Sequence, residues 1–82
     1  MYYVYVLKWI KYYVWVTEDV NRRFEEHKRG NSYFTRRIWR DITLIGWFEY
    51  KDKKAALALE TKIKKSGHIE RWTKEAKFVT GE

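Results

Sequence analysis

Three polar side chains in this 82-residue sequence fall on helix faces that should be apolar, and two tyrosines lie on strands that would face them. Glu60 sits within the inward arc of an expected helix, about 40° from Ala56 on the wheel. A carboxylate there costs free energy unless it is paired or bound to a cation. The plain alternative is an edge position with Glu60 bonded to Lys64 at i+4, worth about 0.3–0.5 kcal/mol. Arg23 and His27, four residues apart, stack one turn apart on the sheet-facing side of an earlier helix. Their alternative is a snorkelling arginine and a hydrogen-bonded core histidine. Tyr5 and Tyr13 lie on the two strands of an expected hairpin, where each taken singly reads first as core. A phenol titrates near pH ~10, so a catalytic tyrosine would need an adjacent cation to favour phenolate.

Other chemistries lack support. The sequence has no glycine-rich phosphate loop, no nucleophile elbow and no HExxH. It has no cysteine, which excludes disulfides and thiolate zinc sites, and its two histidines, His27 and His68, make a poor metal site by themselves.

The elements that must position these groups can be read along the chain. Tyr2–Lys8 and Lys11–Thr17 are dense in Tyr, Val and Trp and read as an antiparallel hairpin. Thr17 offers a helix N-cap before Glu18 and Asp19, and Gly30 a stop, so a helix is expected over Glu18–Arg29. Segment 29–41 has no clear period and reads as a loop. Ile42–Tyr50 is a third strand, with Gly46 a candidate bulge. Asp52 caps a second helix, Lys53–Lys65, with Ala56, Leu57, Leu59 and Ile63 inward. A third helix is expected over His68–Phe78. The order ββαβαα gives an α+β fold with a small three-stranded antiparallel sheet flanked by helices.

The length suits one domain, 1–82, and a domain this size buries only about 60% of its unfolded surface. Large side chains must compensate, and 20% of residues are aromatic. Trp 5, Tyr 7 and Phe 4 exceed what so small a core must hold, so some should line a surface or cleft. The net charge is +7, from 18 Lys and Arg against 11 Asp and Glu. Excess positive charge with surplus aromatics suits a polyanion, most simply nucleic acid; a lysine-rich solubilising face is the alternative. The longest apolar run, Met1–Leu7, is far short of a membrane span and no basic stretch precedes it, so a cytoplasmic protein without membrane association is expected.

Taken together, the residues resemble the GIY-YIG endonuclease superfamily, in particular its small single-domain bacterial and archaeal members. Tyr3-Val4-Tyr5 stands where the family has GIY, and Tyr13-Val14-Trp15 where it has YIG. The stretch from Thr17 to His27 resembles the T-x-D-L-x-R-R-L-x-x-H block. Ala56-Leu57-Ala58-Leu59-Glu60 with Ile63-Lys64 resembles the A-L-x-x-E-x-x-L/I-K helix, and Lys65-Ser66-Gly67 with Arg71-Trp72 the K-S-G-x-x-R-E-W ending. The resemblance implies metal-dependent phosphodiester hydrolysis, with DNA favoured over RNA. It assigns Tyr5, Tyr13, Arg23, His27 and Glu60 to the site, with Glu60 holding one Mg²⁺ or Mn²⁺. Arg29, Arg36, Arg37 and Arg40 would then contact phosphates, and Trp39, Tyr33 or Phe34 would stack on a base. Specificity would come from a partner subunit or a fused domain.

Two glycines of the pattern are replaced, by Tyr3 and by Trp15. Trp15 adds bulk where the phosphate would sit. Three outcomes stay open: the indole points away, narrows the substrate range, or blocks catalysis and leaves a domain that only binds nucleic acid. A reading from another class is an interaction module that uses exposed aromatics on a protein surface.

Overall fold

The computed structural model describes residues 1–8, 11–28 and 42–81. Its elements are β1 (Tyr2–Lys8), β2 (Tyr12–Thr17), α1 (Val20–Lys28), β3 (Thr43–Tyr50), α2 (Lys53–Ser66), α3 (Ile69–Trp72) and β4 (Val79–Thr80). The strands form one antiparallel sheet in the order β2-β1-β3-β4.

β1 is a central strand, and its sequence shows it. Val4, Tyr5, Val6 and Leu7 are all buried, a continuous run instead of an alternation, because both faces of the strand are covered. Side chains alternate across the sheet. Val4, Val6, Val14 and Phe48 face one side and pack against Ala56 and Ile63 of α2, with Ile69 and Trp72 of α3 beside them. Tyr5 and Leu7 face the other side with Val20 of α1 and Ile42, flanked by Tyr3, Tyr13, Trp15, Phe24 and Trp47. The sheet therefore separates two apolar layers, and the candidate tyrosines lie in the layer of α1.

The architecture is α+β as expected, but the sheet has four strands and the order is ββαβααβ. The added strand pairs Thr80 with Gly46 and Val79 with Trp47. Two residues carry no period that a sequence reading can detect. Gly46 makes the pairing possible, because a Cβ there would overlap the Val79 carbonyl oxygen and the Phe78 ring. The bulge expected at Gly46 falls beside it: Val6 pairs with Gly46 and Leu7 with Leu44, leaving Ile45 as the extra residue.

Three helix readings need correction. α1 begins at Val20, not Glu18, because Asp19 is the residue that caps it. The Asp19 carboxylate accepts from the Arg22 amide at 3.1 Å and its carbonyl from the Arg23 amide at 3.0 Å, while Thr17 Oγ1 accepts from the Asp19 amide. α3 ends at Trp72, not Phe78. Thr73 Oγ1 donates to the Glu70 carbonyl at 2.6 Å, and successive i→i+3 bonds at Thr73, Lys74 and Glu75 tighten the chain into turns. The turns deliver Phe78 to an edge-on contact with Phe48, 5.1 Å between centroids. In α2 the cap is as expected: Asp52 accepts from the Lys54 amide at 3.1 Å, and Gly67 closes the helix at φ 69. Leu57, however, is 41% exposed, outside the inward arc assigned to it. No helix among the described residues is long and apolar enough to cross a membrane.

Candidate active site

Strand pairing brings the first pieces together. Tyr5 lies opposite Trp15 on β2 and Leu7 opposite Tyr13. Residues with the same parity share a face, so Tyr5, Tyr13 and Trp15 all point toward α1. Helix α1 crosses that face with Val20, Phe24 and His27, spaced four and three apart on its inner stripe.

His27 is the buried polar residue of this layer, 1% exposed, and Tyr5 is equally hidden. Tyr5 Oη and His27 Nε2 are 2.9 Å apart. Burial pushes the Tyr5 phenol up to about 12; the nearby Arg23 guanidinium works the other way, and the charges of Glu26 and Glu60 raise it further. Burial, with the Arg23 charge added, pushes His27 down to about 4, against a smaller opposing effect of Glu26. At pH 7 the phenol is therefore protonated and the imidazole neutral. Oη–H then donates to Nε2, which leaves the imidazole's own proton on Nδ1.

Arg23 was expected on the sheet-facing side but lies at its rim. Its side chain is 44% exposed, and Nη1 donates to Glu26 Oε1 at 3.1 Å. That bond raises the guanidinium above its ordinary value, and the Tyr5 phenol adds to it in spite of partial burial. Arg23 thus stands beside the buried pair, bonded to Glu26 and open to solvent. Glu26 was not singled out from the sequence, although its i+3 spacing from Arg23 was a readable signal.

Trp15 points into the site. Its indole stacks on His27, 5.0 Å between centroids and 21° between planes. It also stacks on Tyr13, at 5.6 Å and 8°, and lies tilted against Tyr5 at 6.2 Å. Of the three outcomes left open for this residue, pointing away is overturned. Lys11, which the sequence reading also passed over, holds its ammonium over the Tyr13 ring at 5.7 Å.

Glu60 approaches from the opposite layer. It lies on α2 between Ala56 and Ile63, which pack under the far face of the sheet. Its side chain is 18% exposed and accepts from Lys64 Nζ at 3.3 Å. Of the two sequence readings of Glu60, the structure shows the i+4 pair with Lys64. The structure gathers Tyr5, Tyr13, Arg23 and His27 on one face and sets Glu60 within electrostatic range of Tyr5. Arg29, Arg36, Arg37, Arg40, Trp39, Tyr33 and Phe34 lie outside the described residues.

The donor set can be tested against a hard dication. Mg²⁺ takes near-octahedral oxygen ligands, keeps several waters and uses one or two carboxylates with substrate phosphate. Among the described residues no group of three or more Asp, Glu or His side chains forms a cage. A single carboxylate fits the sparse, water-rich kind of site only if it gives up the Lys64 ammonium that counters it.

A buried phenol–imidazole pair joins β1 to α1, an arginine of α1 stands at its rim and a carboxylate lies on α2. Residues 1–71 match the GIY-YIG catalytic domain model, and the chain belongs to that nuclease family. The match spans all five candidate residues. Neither the curated proteins nor the solved structures contain a significant match to the chain.

Proposed function

We propose that residues 1–82 act as one metal-dependent endonuclease domain that hydrolyses phosphodiester bonds in DNA, in the cytoplasm, with Glu60 holding Mg²⁺ or Mn²⁺. The observation that carries this reading is the 2.9 Å hydrogen bond between Tyr5 Oη and His27 Nε2 beside Arg23, in a chain of a nuclease family.

The pair favours a relay over a free phenolate. A phenol held near 12 is not ionised at neutral pH. It can still accept a proton from an attacking water while passing its own proton to His27 Nε2. The new bond joins the water oxygen to phosphorus; the leaving oxygen departs and takes a proton from solvent. The negative charge of the phosphate raises the basicity of His27 at that moment. Arg23, charged and half in solvent, neutralises the non-bridging oxygens. Tyr13 positions the phosphate or the attacking water. Glu60 would hold the dication, which would supply Lewis-acid stabilisation of the developing charge. Selection of a particular DNA then falls to a partner subunit or fused domain.

The test is incubation of purified protein with single-stranded, nicked and branched DNA, with and without Mg²⁺ or Mn²⁺, beside Glu60→Ala. Product that needs the metal and is lost in Glu60→Ala supports the reading. No product from any substrate, or equal cutting by both proteins, contradicts it.

One observation favours a second reading, in which the domain binds nucleic acid without cutting it. Tyr5 and His27 are buried and the Trp15 indole lies on the imidazole. On that reading binding falls steeply with added salt and no product forms.

A further inference from the structure

We infer that Trp15 is a specificity residue, which restricts this site to nucleotides whose base is unpaired. The inference rests on the nuclease reading above and deepens it.

Four side chains form a continuous column on the α1 face of the hairpin. The Lys11 ammonium lies over Tyr13, Tyr13 stacks on Trp15, and Trp15 stacks on His27. The two planes nearest the outside differ by only 8°, so the column has the geometry of stacked bases. Its inner end is the reacting pair: His27 bonded to Tyr5, both closed to solvent. Its outer members, Trp15 and Tyr13, are half-buried, and Lys11 is exposed. Arg23 stands at the other flank with its guanidinium in reach of Tyr5.

A substrate must therefore present two things at once. A phosphate has to meet Arg23 and the Tyr5 phenol. Something flat has to extend the column at its outer end, on Tyr13, because the indole is already stacked on both Tyr13 and His27. A continuous duplex has its bases paired and stacked inside, so it offers phosphate and no free ring face, and the indole holds its backbone off. An unpaired nucleotide offers both. Its base stacks on Tyr13, backed by Trp15, in place of the Lys11 ammonium, which turns to the neighbouring phosphate, and the scissile phosphate meets Arg23 at the rim of the pair. Sequence preference is not expected, because every base has a stacking face.

The experiment is fluorescence anisotropy with labelled 12-nucleotide oligothymidylate, oligouridylate and a blunt DNA duplex of equal length, in EDTA so that no cutting intervenes. Wild type is expected to bind a single strand about tenfold more tightly than the duplex, the size of one base–aromatic stack. The sugar of the tighter single strand states whether DNA or RNA is taken. Trp15→Phe, which keeps a ring, retains most of that ratio. Trp15→Gly brings it to about one, by losing single-strand affinity and admitting duplex. Trp15→Leu keeps bulk without a stack and is read the same way if the glycine variant does not fold. A ratio unchanged within about twofold in folded Trp15→Gly or Trp15→Leu overturns the inference. Cleavage of the same oligonucleotides in Mg²⁺ by wild type and Glu60→Ala is scored separately. Cutting with no Trp15-dependent ratio sinks this inference alone; a Trp15-dependent ratio with no cutting sinks the nuclease reading alone.

Discussion

Tyr5 and His27 form a hydrogen bond of 2.9 Å across 22 residues of sequence, between two rings that are each 1% exposed. The bond joins the central strand to α1, and burial with the Arg23 charge keeps the imidazole neutral. The same contact that stabilises the α1 layer is thus the one proposed to move a proton.

Acid stability should report on His27. Its folded value, about 4, lies below the 6.5 of an exposed histidine. The unfolded chain therefore binds more protons between those values. Stability is fully present above pH 6.5 and is lost as pH falls toward 4, by on the order of 3 kcal/mol. Urea unfolding at successive pH values checks it. In His27→Asn the slope over that window flattens; an unchanged slope would show that another group causes it.

The alkaline side should report on Tyr5. Its phenol is held at about 12 against an ordinary 10.0, so the folded chain keeps a proton that the unfolded chain releases. Stability is full below pH 10 and declines as pH rises toward 12. In an ultraviolet titration one phenol should ionise last, and Tyr5→Phe should remove that late step.

Much of this arrangement is legible in the sequence, and the gaps have physical causes. Tyr5 and Tyr13 share a face because strand side chains alternate, and His27 falls inward because helices repeat every 3.6 residues. The same alternation puts Trp15 with Tyr13. Its stack on His27 depends on where α1 crosses the sheet, which no local pattern encodes. β4 is too short to carry a period, and α3 stops at Trp72 because the Thr73 hydroxyl turns back on the Glu70 carbonyl. Glu60 stayed two-sided from the sequence for a sound reason: at the border of a helix face a carboxylate can pair with a lysine or hold a cation, and the structure shows the lysine pair.

Glu60→Gln separates these two uses. Loss of the pair with Lys64 should change stability by only about 0.3–0.5 kcal/mol, the ordinary value for an i+4 pair. Metal-dependent cleavage should fall by at least about a hundredfold, since the proposed metal ligand is removed. Chemical denaturation and a cleavage assay on the same preparation measure both. A large stability loss with intact cleavage would make Glu60 a structural residue.

Gly46→Ala should detach β4. The added methyl meets the Val79 carbonyl oxygen and the Phe78 ring, so the cost is expected at about 1–3 kcal/mol or above. Amide exchange at Val79 and Thr80 should speed up while the β1–β2 hairpin stays protected. Unaltered protection at Thr80 would show that the strand accommodates the methyl.

The account depends most on the Tyr5 hydroxyl as the atom that takes a proton from water and passes one to His27. The direct measurement is the single-turnover rate of DNA cleavage in Mg²⁺ or Mn²⁺ by wild type and Tyr5→Phe, which removes one oxygen and leaves the ring. A drop of about a hundredfold or more, with binding of the same DNA retained, is the predicted result. A Tyr5→Phe protein that cuts at the wild-type rate would contradict it.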